Sequence, residues 1–161
     1  MKDKLNEIYL KIANKMIDMI PTEWSKIIFL NEIDTDDRIV KIVFDFQEKG
    51  SELWLSCFNI PEEFDVTQET YDALYAELKD HLYEMCTFFK DNGLGLWQDF
   101  KLTLDIHTMK LYDSYRFDPD RADDALQAIK TLDLFDADDE TFEEIEKAIH
   151  DYYGNKHHSI H

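Results

Sequence analysis

The chain has 161 residues, 44% of them hydrophobic and 14% aromatic, which excludes a disordered tail and suffices for one domain with its own core. Against 17 Lys and Arg residues stand 36 Asp and Glu residues, so the formal net charge is −19. Such a charge repels phosphate backbones and anionic lipids and attracts cationic surfaces, so we expect neither nucleic acid nor a membrane as a partner. High negative charge also serves solubility alone, and that interpretation stays open.

The first predicted element is an amphipathic helix that ends at Pro21, because proline cannot continue a helix. Its apolar residues recur at helical spacing: Leu5, Ile8, Tyr9, Ile12, Met16 and Ile20. Residues 27–30 and 39–46 are rich in β-branched and aromatic side chains, and they predict a hairpin around the turn-prone segment 34–37. Alternation with a period of two predicts one buried face on its second strand: Val40, Ile42, Phe44 and Phe46.

A third strand is predicted over residues 53–58, and the apolar pattern then changes to that of a helix. This long helix is predicted to run from Thr67, as its N-cap, to Asp91, with Asn92 and Gly93 at its end. Its apolar face comprises Tyr71, Leu74, Tyr75, Leu78, Leu82, Met85 and Phe89. Residues 100–106 and 111–117 predict a second hairpin.

Two further helices are predicted, one starting at Asp118-Pro119 and one following Asp138 and ending near Gly154. The predicted fold is therefore α+β: an antiparallel sheet of about five strands with helices packed mainly on one face, in the order α-β-β-β-α-β-β-α-α. We expect a single domain over residues 1–154 and a flexible, histidine-containing tail over residues 155–161. The neighbouring imidazoles of this tail could also bind a transition metal.

No catalytic or cofactor motif meets its spacing rules. Gly93 and Gly95 lack the further glycine of a phosphate-binding loop. A calcium loop starting at Asp136 fails because Thr141 replaces the required glycine and Lys147 replaces the closing glutamate. We therefore expect no cofactor, no metal site and no enzymatic activity.

The two cysteines, Cys57 and Cys86, are too far apart in sequence for a zinc knuckle or a redox pair, and we expect both to be small buried side chains. No stretch approaches the roughly 20 apolar residues that span a bilayer. The N-terminus begins an amphipathic pattern rather than the apolar core of a signal peptide. The expected location is the cytoplasm.

Acidic residues are concentrated between Asp118 and Asp151, where thirteen Asp and Glu residues face three Lys and Arg residues and give a local charge of −10. A solvated face is one explanation of such a run, and a surface for a cationic partner is the other. We call the turn-prone segment 34–37 the acidic turn. Together with it, the C-terminal region supplies the candidate partner-binding residues: Asp34, Asp36, Asp37, Asp133, Asp136, Asp138, Asp139, Glu140, Glu143 and Glu144.

Several segments of the chain together resemble a known family. They are Ile8-Tyr9 with Ile12-Ala13, the run Met19-Ile20-Pro21-Thr22-Glu23-Trp24, the tetrapeptides Phe58-Asn59-Ile60-Pro61 and Tyr71-Asp72-Ala73-Leu74, and the segment from Trp97 to Leu104. Over residues 5–117 the chain resembles the YezG-like family of bacterial immunity proteins, the antitoxins that protect a cell from a polymorphic toxin with a nuclease-type tail. The resemblance implies a non-catalytic protein whose partner is a toxin, and it fades after Phe117.

The leading hypothesis is therefore an immunity protein that binds and neutralises a cognate toxin. This toxin would be a nuclease whose basic groove faces the acidic residues. The alternative is an acidic regulatory or adaptor domain without a toxin partner, and a hydrolase that uses carboxylates is a third hypothesis. A toxin gene beside this one would favour the first, and an unrelated metabolic operon would favour the second.

Overall fold

The computed structural model describes residues 2–108 and 110–117. The elements are α1 (Lys2–Met19), β1 (Trp24–Ile33), β2 (Ile39–Glu48), β3 (Trp54–Ser56), a 3₁₀ turn (Cys57–Asn59), α2 (Ile60–Glu63), α3 (Gln68–Asp91), β4 (Asp99–Asp105) and β5 (Lys110–Arg116). The predicted α+β class and five-stranded antiparallel sheet are confirmed, with the short α2 as an addition. The two helices predicted after Phe117, the end of the domain at residue 154 and the tail over residues 155–161 lie outside the described residues.

The sheet has the strand order β3-β2-β1-β4-β5, and every neighbouring pair is antiparallel. Strand β1 is central, since Phe29 lies opposite Phe44 of β2 on one side and Leu102 of β4 on the other. The two predicted hairpins thus join along β1, while the chain crosses between them through α3. This order leaves β3 and β5 as the two edges.

Helices α1 and α3 pack against each other and cover one face of the sheet, as predicted. The core beneath them is aromatic, with the Phe89 and Trp97 rings 4.8 Å apart and the Phe100 and Tyr115 rings 5.0 Å apart. Edge-to-face and stacked ring pairs of this kind contribute about 0.5–1.5 kcal/mol each beyond the apolar area that they bury. The aromatic cluster therefore fixes α3 and the following loop on the second hairpin.

One prediction for the covered face is wrong, because Val40 is 58% exposed. Glu32 pairs with Lys41, but the next residue, Ile33, pairs with Ile39, so Val40 is the extra residue of a β-bulge. The bulge interrupts the alternation that sequence spacing implies. Beyond it the alternation returns, and the other three predicted residues of this strand are buried: Ile42, Phe44 and Phe46.

The long helix begins and ends where its capping residues predict. The Thr67 side chain accepts a hydrogen bond from the Thr70 backbone N–H at 3.2 Å, which satisfies one of the free donors at the helix start. Asn92 caps the other end, and Gly93 follows with a φ of 70°, a left-handed conformation that glycine adopts without strain. Helix α3 is therefore specified locally at both ends.

Three lysines of α1 face carboxylates of α3. Lys4 Nζ and Lys11 Nζ lie 3.1 Å and 3.0 Å from Glu84 Oε1, and Lys15 pairs with Glu77. Exposed pairs of this type contribute little to stability, typically below about 1 kcal/mol each. Their consequence for the surface is larger, because three of the basic side chains are already matched by carboxylates of the same protein.

Candidate partner-binding surface

The candidate residues Asp34, Asp36 and Asp37 lie in the turn that joins β1 to β2. Asp34 Oδ1 accepts hydrogen bonds from the backbone N–H groups of Asp36 and Arg38, both at 2.9 Å. Asp34 Oδ2 lies 3.1 Å from Arg38 Nε, and Asp37 adopts a left-handed φ of 61°. The side chain of Asp34 therefore holds the turn in shape.

These contacts divide the acidic turn into two roles. The backbone hydrogen bond from Arg38 is the largest cause that lowers the pKa of Asp34, so this carboxylate stays ionised at more acidic pH than an ordinary aspartate. Asp36 also contacts Arg38, with 3.2 Å between Asp36 Oδ2 and Nη2, but its side chain remains 73% exposed. Within the turn, Asp34 holds the backbone in place, whereas Asp36 and Asp37 are exposed.

The other candidate residues lie outside the described part of the chain: Asp133, Asp136, Asp138, Asp139, Glu140, Glu143 and Glu144. Their clustering remains a property of the sequence, and their role in partner binding remains a proposal.

The structure adds an exposed apolar surface that the sequence analysis did not identify. Leu53, Trp54 and Phe58 are 74%, 45% and 56% exposed, although all three fall in the segment predicted to be a strand. Strand β3 is only three residues long and lies at the edge of the sheet, so this segment has few neighbours to cover it. We call Leu53, Trp54 and Phe58 the edge patch.

The segment around the edge patch contains acidic side chains and no basic ones. Between Lys49 and Lys79 there is no Lys, Arg or His, while seven carboxylates occur: Glu52, Glu62, Glu63, Asp65, Glu69, Asp72 and Glu77. All except Glu77 are outside the ion pairs found among the described residues. The sequence alone shows this base-free segment, in which residues 53–58 were predicted as a strand and not as a binding surface.

The two cysteines and His81 are the side chains of the described region to test as nucleophiles, bases or metal ligands. Both cysteines are buried, as predicted, and burial raises the pKa of the Cys57 thiol and that of the Cys86 thiol, the latter to about 11. Desolvation lowers the pKa of His81, which keeps its imidazole neutral at pH 7. Across residues 2–108 and 110–117, no three His, Cys, Asp or Glu side chains are placed to hold a metal ion.

In the described residues, no helix combines the length and apolar character that crossing a membrane requires. Comparison with protein families matches residues 5–151 to the family described as Immunity protein YezG-like. The chain belongs to this family. The YezG-like resemblance seen over residues 5–117 is thereby confirmed, and the match continues beyond Phe117, where the motif resemblance ends.

Three curated relatives of the YezG-like chain are similar over part of their length. Immunity protein YezG of Bacillus spizizenii is 33% identical over 102 residues, which are 63% of this chain and 62% of the relative. The type VII secretion system protein EsaG of Staphylococcus aureus is 33% identical over 96 residues, 60% of this chain and 58% of EsaG. Immunity protein YezG of Bacillus subtilis is 29% identical over 101 residues, 63% of this chain and 66% of the relative. The chain thus matches about three fifths of the length of the first two relatives and slightly more of the third.

Proposed function

We propose that this protein is an immunity protein that binds a cognate bacterial toxin in the cytoplasm and neutralises it without catalysing a reaction. Membership of the YezG-like immunity family is the observation that carries this proposal. The names of two relatives, both immunity proteins, support the same role. The buried cysteines and the neutral His81 are consistent with a binding protein, because none of them is an activated nucleophile or base.

We further propose that the toxin is a nuclease with a basic groove. A nuclease must attract the phosphate backbone, so its active face carries Lys and Arg side chains. A protein with a net charge of −19 is drawn into the same field, and electrostatic steering raises its association rate. The acidic protein would then occupy the groove in place of nucleic acid.

The proposed acidic contact surface has two parts. The first is the turn with Asp34, Asp36 and Asp37, in which Asp36 is the most accessible of the described ion-paired carboxylates. The second is the C-terminal acidic residues: Asp133, Asp136, Asp138, Asp139, Glu140, Glu143 and Glu144. Both parts would approach the partner through long-range attraction, since side chains of this kind act mainly on the rate of encounter.

The test is co-expression with a toxin. The C-terminal domain of a secreted toxin encoded beside this gene is induced in a bacterial host, with and without this protein. We expect the toxin alone to degrade nucleic acid and stop growth, and the protein to restore growth by forming a complex that co-purifies. Continued growth arrest in the presence of abundant folded protein, or a neighbourhood with no toxin gene, would favour the adaptor alternative.

A further inference from the structure

We propose that the edge patch, formed by Leu53, Trp54 and Phe58, is the apolar anchor of the toxin contact, and that the toxin meets it with an apolar recess bordered by Lys and Arg side chains. This inference rests on the proposed function and adds a location to it. The residues expected to contribute most to binding then lie outside both the acidic turn and the C-terminal acidic residues.

Exposure is the first argument for the edge patch. Six large apolar side chains of the described region are clearly exposed, and three of these six lie within the six residues from Leu53 to Phe58. Scattered exposed apolar residues are normal, whereas a local group with large aromatic side chains is typical of an interface. Four residues of extended chain span at most about 14 Å, so Trp54 and Phe58 fit under one partner surface.

The backbone of the sheet edge provides the second argument. The Phe44 N–H points towards β3, because it donates to Cys57 Sγ at 3.4 Å. Backbone groups alternate in direction along an antiparallel strand, so Phe46 and its partner Leu55 also direct theirs at each other. The N–H and C=O of Trp54 therefore point away from the sheet, where they can bond to a partner's main chain.

Side chains lie on both sides of this edge. Trp54 pairs with Gln47, on the sheet face opposite the helices, whereas the Phe58 ring packs 6.0 Å from that of Tyr75 on α3. A partner that covers the end of the sheet contacts both aromatic side chains at once. Aromatic anchors in such positions often dominate binding energy at protein interfaces.

Charge selects the kind of partner. The base-free segment carries seven carboxylates. Among them, the exposed Glu52 directly precedes Leu53, and the exposed Glu62 and Glu63 lie on α2, which directly follows the turn that contains Phe58. A partner surface must therefore bring cations to the rim of its apolar recess, as expected for a protein that binds nucleic acid. A second copy of this chain would bring like charges together, and an anionic lipid surface would be repelled.

The experiment measures the dissociation constant of the purified complex with the toxin domain that the protein neutralises in the co-expression test. We expect Trp54→Ala and Phe58→Ala each to raise the Kd by about 30-fold or more, the effect of losing one interface hot spot. The matched control is Tyr112→Ala, which removes an aromatic side chain that is 52% exposed on the opposite edge strand, β5. We expect less than about a threefold change for this control.

A second pair of variants tests the rim. The first double variant combines Glu62→Lys and Glu63→Lys. Its control combines Asp80→Lys and Asp91→Lys, which makes the same charge change on exposed residues of α3 outside the base-free segment. We expect the first pair to slow association more than the second, and added salt to reduce the difference. Thermal unfolding of every variant checks that it is folded. If Phe58→Ala proves unstable, Leu53→Ser replaces it, because Leu53 lies before β3 and is the most exposed member of the patch.

Three outcomes overturn the inference. One is an unchanged Kd for folded Trp54→Ala and Phe58→Ala while the wild-type protein binds. Another is an equal loss of affinity in Tyr112→Ala, which would show that exposed aromatic residues matter regardless of place. Both leave the proposed function intact. Failure of the wild-type protein to bind or neutralise any neighbouring toxin overturns the proposed function, and this inference with it.

Discussion

Replacing Asn31 by leucine should destabilise the protein strongly, because this amide is the buried polar link between the first hairpin and the loop after α3. Asn31 is 1% exposed; its Oδ1 accepts a hydrogen bond from Trp97 Nε1–H at 2.7 Å, and its Nδ2 donates to the Lys41 carbonyl at 2.9 Å. Leucine is similar in size but leaves the buried Trp97 N–H and the partly buried Lys41 carbonyl without the amide that they bond in the wild type. A buried group without a partner costs about 1–3 kcal/mol, and a partly buried carbonyl that water can reach costs about 1 kcal/mol, so we expect a loss of about 2–4 kcal/mol in the free energy of unfolding.

Urea denaturation monitored by tryptophan fluorescence measures this loss. With an m-value of about 2 kcal/mol/M, the midpoint should fall by about 1–2 M at an unchanged m-value. The control is a double-mutant cycle with Trp97→Phe, which removes the indole donor. We expect Trp97→Phe to cost about 1–2 kcal/mol less in the Asn31→Leu background than in the wild-type background. A loss below about 1 kcal/mol for Asn31→Leu, or a coupling of zero, would refute the role of Asn31 as a buried link.

Asp34→Ala should destabilise the hairpin at neutral pH. Because the folded pKa of Asp34 is lowered, the contribution of this carboxylate to stability is present above the unfolded pKa of about 3.9 and is lost as pH falls through the folded value. The unfolding curves of the variant and the wild type should therefore converge in acid. Convergence already at pH 6 would contradict this. Cys57 and Cys86 should react slowly with a thiol reagent at pH 8 in the native state and rapidly in urea, and fast native labelling would show that they are not buried. Changing four C-terminal carboxylates, Asp136, Asp138, Asp139 and Glu140, to Lys should slow association with the toxin and weaken its salt dependence. Stopped-flow association rates at low and moderate salt measure this effect. Unchanged rates would show that these residues are not part of the interface.

Local signals explain why much of the fold is predictable from the sequence. Thr67 and Gly93 mark the ends of α3 because capping and left-handed φ depend on residues within one helical turn. The hairpins follow from alternation on either side of short turns. The bulge at Val40 was not predictable in the same way, since it depends on how β1 and β2 match along their full length.

The edge patch shows the corresponding limit for the site. Leu53, Trp54 and Phe58 have the composition of a buried strand, and their exposure results from the strand order, which puts β3 at the end of the sheet. Strand order is a long-range property that a short apolar run does not reveal. Counting charges over the whole chain, instead of the most acidic segment alone, would have identified the base-free segment between Lys49 and Lys79.

The most direct test of the central claim is the nuclease activity of the purified toxin domain, measured while this protein is added in increasing amounts. We predict that cleavage of a nucleic-acid substrate falls linearly and stops at about one equivalent, and that the complex forms more slowly as ionic strength rises because opposite charges steer the encounter. Undiminished cleavage in the presence of a stoichiometric excess of folded protein, with no complex detected, would contradict the account.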